Sequence, residues 1–177
     1  DISTSIIGVC LFDEENFKKM DKIDLTKIKC IFEKAKVVEN YFNKLTESYV
    51  ITKIYIEDIL QAFRRGMSSS KTLMQLARFN GVVSNIAYRS CGLIPVYINV
   101  NTARKQLNIK IDKNSNIEKK EQVLNWVNDD LGGYEWPKKT LSRGKNKGCV
   151  KYEKFCYDMS DSYVICKAGI KINGHNR

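Results

Sequence analysis

Glu57 is the first residue whose type and place suggest chemistry. It closes the run Ile54-Tyr55-Ile56, β-branched and aromatic residues that read, from about Ile51, as a short buried strand. An ionised carboxylate at the edge of an apolar sheet is costly to desolvate unless a cation or hydrogen bonds compensate it, which makes a strand-end Glu a site candidate. On this stretch alone, a Glu that merely opens a solvated loop reads equally well. What separates the two is whether other acids converge on it. Asp158 and Asp161 stand three apart in residues 157–168, which read as a helix, so they share one face. Asp1 precedes Ser3, Thr4, Ser5 and Gly8, a group of small residues that suits a tight turn.

These acids need elements to hold them. Residues 1–12 read as the end of one strand, a turn and a second, antiparallel strand, and the chain is expected to start inside the first of these. Residues 18–25 suggest a third strand. Between 28 and 45, Ile31, Ala35, Val38, Phe42 and Leu45 recur at helical spacing and predict an amphipathic helix. Gly66-Met67-Ser68-Ser69-Ser70-Lys71-Thr72 lacks the second glycine of a phosphate-binding loop and reads as a cap for a helix over 71–89. That helix carries Leu73, Leu76, Ala77, Asn80, Val83 and Ala87 near one stripe. Gly81 within it is expected to admit a close approach by the sheet or by a partner subunit. A strand over 93–100, a short helical turn over 101–107 and a helix over 116–131 follow, the last opened by a Ser115-x-x-Glu118 capping box and stopped by Gly132-Gly133.

Composition narrows the partners. The chain has 177 residues, 43% of them apolar and 28% charged, which fits one globular domain over 1–177 and excludes a disordered tail. Its net charge of +10 points to a polyanion, nucleic acid first and an anionic membrane second. Residues 138–154 hold seven basic residues against Glu153 alone, a net of +6, and read as a flexible basic insertion suited to a phosphate backbone. No apolar run approaches the roughly 20 residues of a bilayer crossing, so no membrane role is expected. Six cysteines without a Cys-x-x-Cys pair read as mostly buried free thiols of an intracellular protein. Cys149, Cys156 and Cys166 with His175 are the residual zinc alternative.

The order of elements and acids resembles the ribonuclease H-like fold, and within it the RuvC-type Holliday-junction resolvases, closest to their phage-type branch. The residues that carry this resemblance are Asp1-x-Ser3-Thr4-Ser5-x-x-Gly8, Ile56-Glu57, Leu76-Ala77-Arg78-x-x-Gly81-x-Val83, Asn101-x-x-Arg104-Lys105-Gln106, Lys120-x-Gln122-Val123 and Asp158-x-x-Asp161-Ser162. The resemblance implies an α/β fold with a mixed five-stranded sheet flanked by helices. It also implies a magnesium-dependent endodeoxyribonuclease of DNA recombination and repair, two Mg²⁺ per active site with Mn²⁺ able to substitute, held by Asp1, Glu57, Asp158 and Asp161. Asp1 would bridge the metals and Glu57 would orient the nucleophile-side metal and water. Oxygen-only ligands suit such hard cations, and the near absence of histidine excludes a His-rich zinc site.

Lys120 matches a family basic position beside the active site and Lys105 another. Ordinary surface lysine is the alternative for both. The expected DNA contacts are Arg64, Arg65, Arg104, Lys105, Lys120, Arg143 and Lys145. The sequence departs from the cellular enzymes in a longer segment between Glu57 and Gly81. Leu60 stands where those enzymes carry an aromatic, with Phe63 as a possible substitute. Family members are homodimers, which places Leu73, Leu76, Ala77 and Gly81 at a twofold interface. The expected function is resolution of four-way junctions by paired nicking inside the cell, at DNA: host cytoplasm for a phage, nucleus or organelle for a eukaryote. Alternatives are a broader debranching or flap nuclease and a catalytically silent junction-binding protein.

Overall fold

A computed structural model describes residues 1–58, 70–144 and 147–174. The frame is a hairpin of β1 (Ile6–Asp13) and β2 (Asn16–Asp24), paired antiparallel with Ile7 opposite Ile23 and Cys10 opposite Met20. Side chains alternate across a strand, and here the alternation divides the protein. Ile7 and Ile23 join Leu25, Val38, Phe79, Val83 and Ile86 in one core, under α1 (Ile31–Ser48) and α2 (Ser70–Cys91). On the other face Cys10, Phe12, Phe17 and Met20 pack with α4 (Lys119–Asp130) and α5 (Phe155–Gly174). The hairpin is a wall with a core on each side.

The central element of the second core is α5. Cys156, Met159, Tyr163, Val164, Ile165 and Ala168 are all buried, and a helix apolar on so many sides must be enclosed. It packs against both hairpin strands, α3 (Val100–Gln106), α4, and the parallel pair β3 (Tyr55–Glu57) and β4 (Val96–Ile98).

The five-stranded mixed sheet is not formed. Among the described residues the strands are six, in three separate two-stranded sheets. β3 and β4 have three residues each and pair with one another, leaving each strand's second edge without a strand partner among the described residues. Flanking bonds from Val96 N to Ile54 O (2.8 Å) and Asp58 N to Ile98 O (2.9 Å) lengthen that pair but do not reach the hairpin. What joins β3 to β1 is helix α5, not backbone pairing.

Three local expectations also change. The segment 138–154 is a ribbon rather than a flexible loop over its described residues: β5 (Lys138–Thr140) pairs antiparallel with β6 (Val150–Tyr152). Bonds from Leu141 N to Cys149 O and Glu153 N to Pro137 O (both 2.9 Å) extend the pairing at each end. The Ser115 capping box is not made. Ser115 Oγ accepts from Ile117 N (3.1 Å) in a turn, and α4 starts after Glu118, whose side chain caps nothing. Gln122 anchors this turn instead, its Nε2 donating to Asp112 O and Ile117 O and its Oε1 accepting from Asp112 N, each 2.9 Å. Finally, the buried face of α2 is Phe79, Asn80, Val83, Ser84, Ile86 and Ala87, while Leu73 and Leu76 are half-buried and Ala77 and Gly81 exposed. Among the described residues, a Cβ placed on Gly81 would meet nothing within 4 Å outside its own helical backbone, so no other described segment approaches it there. Among the described residues no helix is long and apolar enough to cross a membrane.

Candidate functional site

Asp1 is held by backbone pairing to Gly8, with Gly8 N donating to Asp1 O (3.0 Å) and Asp1 N to Gly8 O (3.2 Å). Next to it Ile2 bridges Ile7, and Ser3 ties the turn, its Oγ donating to Ile6 O (2.7 Å) and accepting from Ile6 N (2.9 Å). The expected strand end, turn and antiparallel strand are all present. Residues paired across a ladder share a face. Asp1 therefore lies on the side of the hairpin to which Gly8 points, and that is the side of α5.

Two glycines let α5 come close enough to matter. A Cβ at Gly8 would sit 2.0 Å from the carbonyl oxygen of Asp158, so the strand and the first turn of α5 touch backbone to backbone. A Cβ at Gly169 would sit 2.4 Å from the Tyr55 ring, where α5 crosses β3. Asn173 Nδ2 donates to Tyr55 Oη (3.3 Å) beside that crossing. One helix is thus pinned against the strand bearing Gly8 and the strand bearing Glu57. Asp158 and Asp161 lie between the two pins, at the start of the helix.

Electrostatics report the convergence. Burial pushes the Glu57 carboxyl above its ordinary range, with Asp161 reinforcing and Arg104 and Lys120 opposing. Asp158 is raised by burial, with Lys120 opposing and Asp161 reinforcing. Asp161 is raised by burial against the pull of Arg104 and Lys120. The backbone nitrogen of Asp1 lies buried near Glu57, Asp161 and Asp158. Asp161 acts on both Glu57 and Asp158, and for all three carboxyls burial outweighs the cations.

Arg104 is the unexpected member. Its Nη2 stands 3.7 Å from Asp161 Oδ1, both side chains only 13% exposed, and its buried Nε has no hydrogen-bond partner. Placed as a DNA contact from sequence, it turns inward to the carboxylates. The signal was available: Val100, Ala103 and Leu107 are buried, and positions 100, 103, 104 and 107 form one helical face. Neighbouring Lys105 falls off that face and is exposed. Lys120, exposed at the start of α4, faces the same three acids. Arg143 is exposed beyond β5. Arg64, Arg65 and Lys145, with Leu60, Phe63 and His175, lie outside the described residues.

The donor set is carboxylate only, short of positive charge and partly withdrawn from water, which is the chemistry a hard divalent cation satisfies. The arrangement is not a closed cage. Among the described residues no three acidic, cysteine or histidine side chains are close enough to share one ion. Rotamer changes that bring the carboxylates together are therefore part of any metal binding here. The cysteines are free, with Cys156 buried, Cys10, Cys91 and Cys166 half-buried, and Cys30 and Cys149 exposed. The expectation that most were buried thus holds fully for Cys156 alone.

No protein-family model matches this chain, and a search of curated proteins finds no match either.

Proposed function

We propose that this protein is a structure-selective endodeoxyribonuclease that cuts four-way DNA junctions by paired nicking, acting at DNA inside the cell. What supports it is that Asp1, Glu57, Asp158 and Asp161, from three separate stretches of chain, are half-buried where α5 is pinned to the hairpin and to β3, with Arg104 and Lys120 beside the last three. A net charge of +10, concentrated in the 138–154 ribbon, supplies the attraction to a polyanion. The reading rests on the site and the charge, and needs no continuous sheet.

Asp1, Glu57, Asp158 and Asp161 are the residues that would hold magnesium, or manganese in its place. Bound there, two such ions would supply Lewis acidity for hydrolysis by water, a reaction that leaves 5′ phosphate and 3′ hydroxyl ends without a covalent enzyme intermediate. Glu57, at the end of a strand and next to the hairpin, is the carboxylate we assign to orienting the water. Lys120 faces the carboxylates from the solvent side, where a cation stabilises charge gathering on the phosphate. Arg104 holds Asp161 in place and limits repulsion among the acids. Two nicks at symmetry-related strands need two sites, and a homodimer through the exposed Ala77 and Gly81 side of α2 provides them.

The test is a labelled synthetic four-way junction incubated with wild type and Glu57→Gln, with and without Mg²⁺, beside linear duplex and flap controls. Symmetric, magnesium-dependent nicks confined to the junction, lost in Glu57→Gln, are the expected result. Equal cutting of flaps would replace resolution with general debranching. The open spacing of the acids favours one second reading, a catalytically silent junction binder. Tight junction binding by wild type with no cutting in either Mg²⁺ or Mn²⁺ would select it.

A further inference from the structure

The ribbon of β5 and β6 does more than carry charge. Between it and the starts of α4 and α5 lies an open cleft of about 340 Å³, lined by Lys138, Val150, Lys151, Tyr152, Glu121 and Tyr157. That volume lies within the range of small-molecule pockets, about 300–1,000 Å³. Its walls are joined to the acidic site through the chain itself: Tyr157 precedes Asp158, and Glu121 follows Lys120. The lining combines two aromatic rings, two lysines and one carboxylate. Lys138 stands opposite Tyr152 in the ladder, with its Nζ 5.3 Å from the Tyr152 ring centroid.

We propose that this cleft receives one unstacked nucleobase of the DNA strand being cut, beside the scissile phosphate. Three features select a base over a phosphate. Tyr152 and Tyr157 put two aromatic side chains in the lining, and any base can stack on an aromatic ring. Glu121 in the wall repels an anion yet accepts a hydrogen bond from an exocyclic amino group. Lys138 and Lys151 hold the flanking backbone phosphates. A four-way junction supplies strands that leave the helical stack at the branch point, so the base is available there and not in linear duplex. The inference rests on the nuclease reading and adds a device by which a branch is told from a duplex.

The probe is a four-way junction carrying 5-iododeoxyuridine at the nucleotides flanking the nick, bound to Glu57→Gln protein and irradiated. The crosslink is expected at Tyr152 or Tyr157. Lys151→Glu, an exposed substitution, and Val150→Glu, at a residue 61% exposed, are expected to weaken junction binding about tenfold with little effect on linear duplex. Tyr152→Phe should keep binding and Tyr152→Ala lose it. If Tyr152→Ala fails to fold, the two glutamate variants still decide the matter. Crosslinks confined to other residues, or glutamate variants that bind and cut the junction as wild type does, would overturn the base pocket and leave the nuclease standing. A wild-type protein that neither binds nor cuts branched DNA overturns both.

Discussion

Three carboxyls raised by burial set up an opposition between stability and binding at the scale of the residue. For Glu57, Asp158 and Asp161 the folded pKa exceeds the unfolded one. Between those two values the folded protein holds more protons, so stability is greatest below the ordinary carboxylate range and falls as pH rises through the window above it. We expect metal-free protein to show this decline in thermal unfolding as pH rises above the ordinary carboxylate range of about 4. Saturating Mg²⁺ should reverse it, since a ligand bound only by the folded state stabilises that state. Glu57→Gln removes one of the like charges. It should raise the metal-free melting temperature at pH 7, by about 2–4 °C for each kcal/mol relieved, while abolishing the Mg²⁺-induced rise. Outer-shell substitutions cost about 10–100-fold at metal sites, so the same change to a direct ligand should reduce junction nicking by more than about a hundredfold. A Glu57→Gln protein less stable than wild type at pH 7 would show that the acids are already compensated without metal.

The decisive feature among the elements is the double pinning of α5. Gly8→Ala forces a methyl into the Asp158 carbonyl, a backbone atom that cannot swing aside. Overpacking of this kind costs about 1–3 kcal/mol. We expect a lower denaturation midpoint together with loss of nicking, because the shift falls on the turn that carries Asp158 and Asp161. Gly169→Ala meets the Tyr55 ring instead, the part of a side chain that another residue can replace. Its loss of stability should be partly restored by Tyr55→Leu, whereas no single side-chain truncation should rescue Gly8→Ala. Equal rescue of the two would mean that the hairpin yields as readily as the ring. Gln122 plays a comparable part for α4, its three bonds fixing the 112–117 turn ahead of Lys120.

Over the whole molecule, charge is placed away from the cores. Lys139 is paired with Glu153 at 2.8 Å, but Arg143 and Lys147 at the end of the ribbon are exposed and extend the basic surface beyond the cleft. Junction affinity should therefore fall steeply with salt, and Arg143→Ala with Lys147→Ala should reduce the slope of log affinity against log salt by about 0.9 for each phosphate that is no longer neutralised. Fluorescence anisotropy across a salt series measures this. An unchanged slope would place the DNA on another face. Sedimentation analysis tests the proposed dimer: a charged substitution such as Ala77→Glu should shift the protein toward monomer while leaving its melting temperature nearly unchanged.

The one-dimensional pattern determined much of this protein. Helical spacing placed α1 and α5, and β-branched runs placed β3 and β4 within longer expected strands. These features depend on local backbone preference and on periodicity, which a single chain displays openly. Packing between distant segments decided the rest. Whether β3 would join the hairpin depended on how α5 sets the two apart, and separate pairs stand where one sheet was expected. Whether Arg104 faced DNA or acid depended on which side of α3 met α5. The basic insertion became a ribbon through pairing across its own loop, and only its position beside α4 and α5 created the cleft. Residue types establish what a site could do; tertiary structure determines which of them meet.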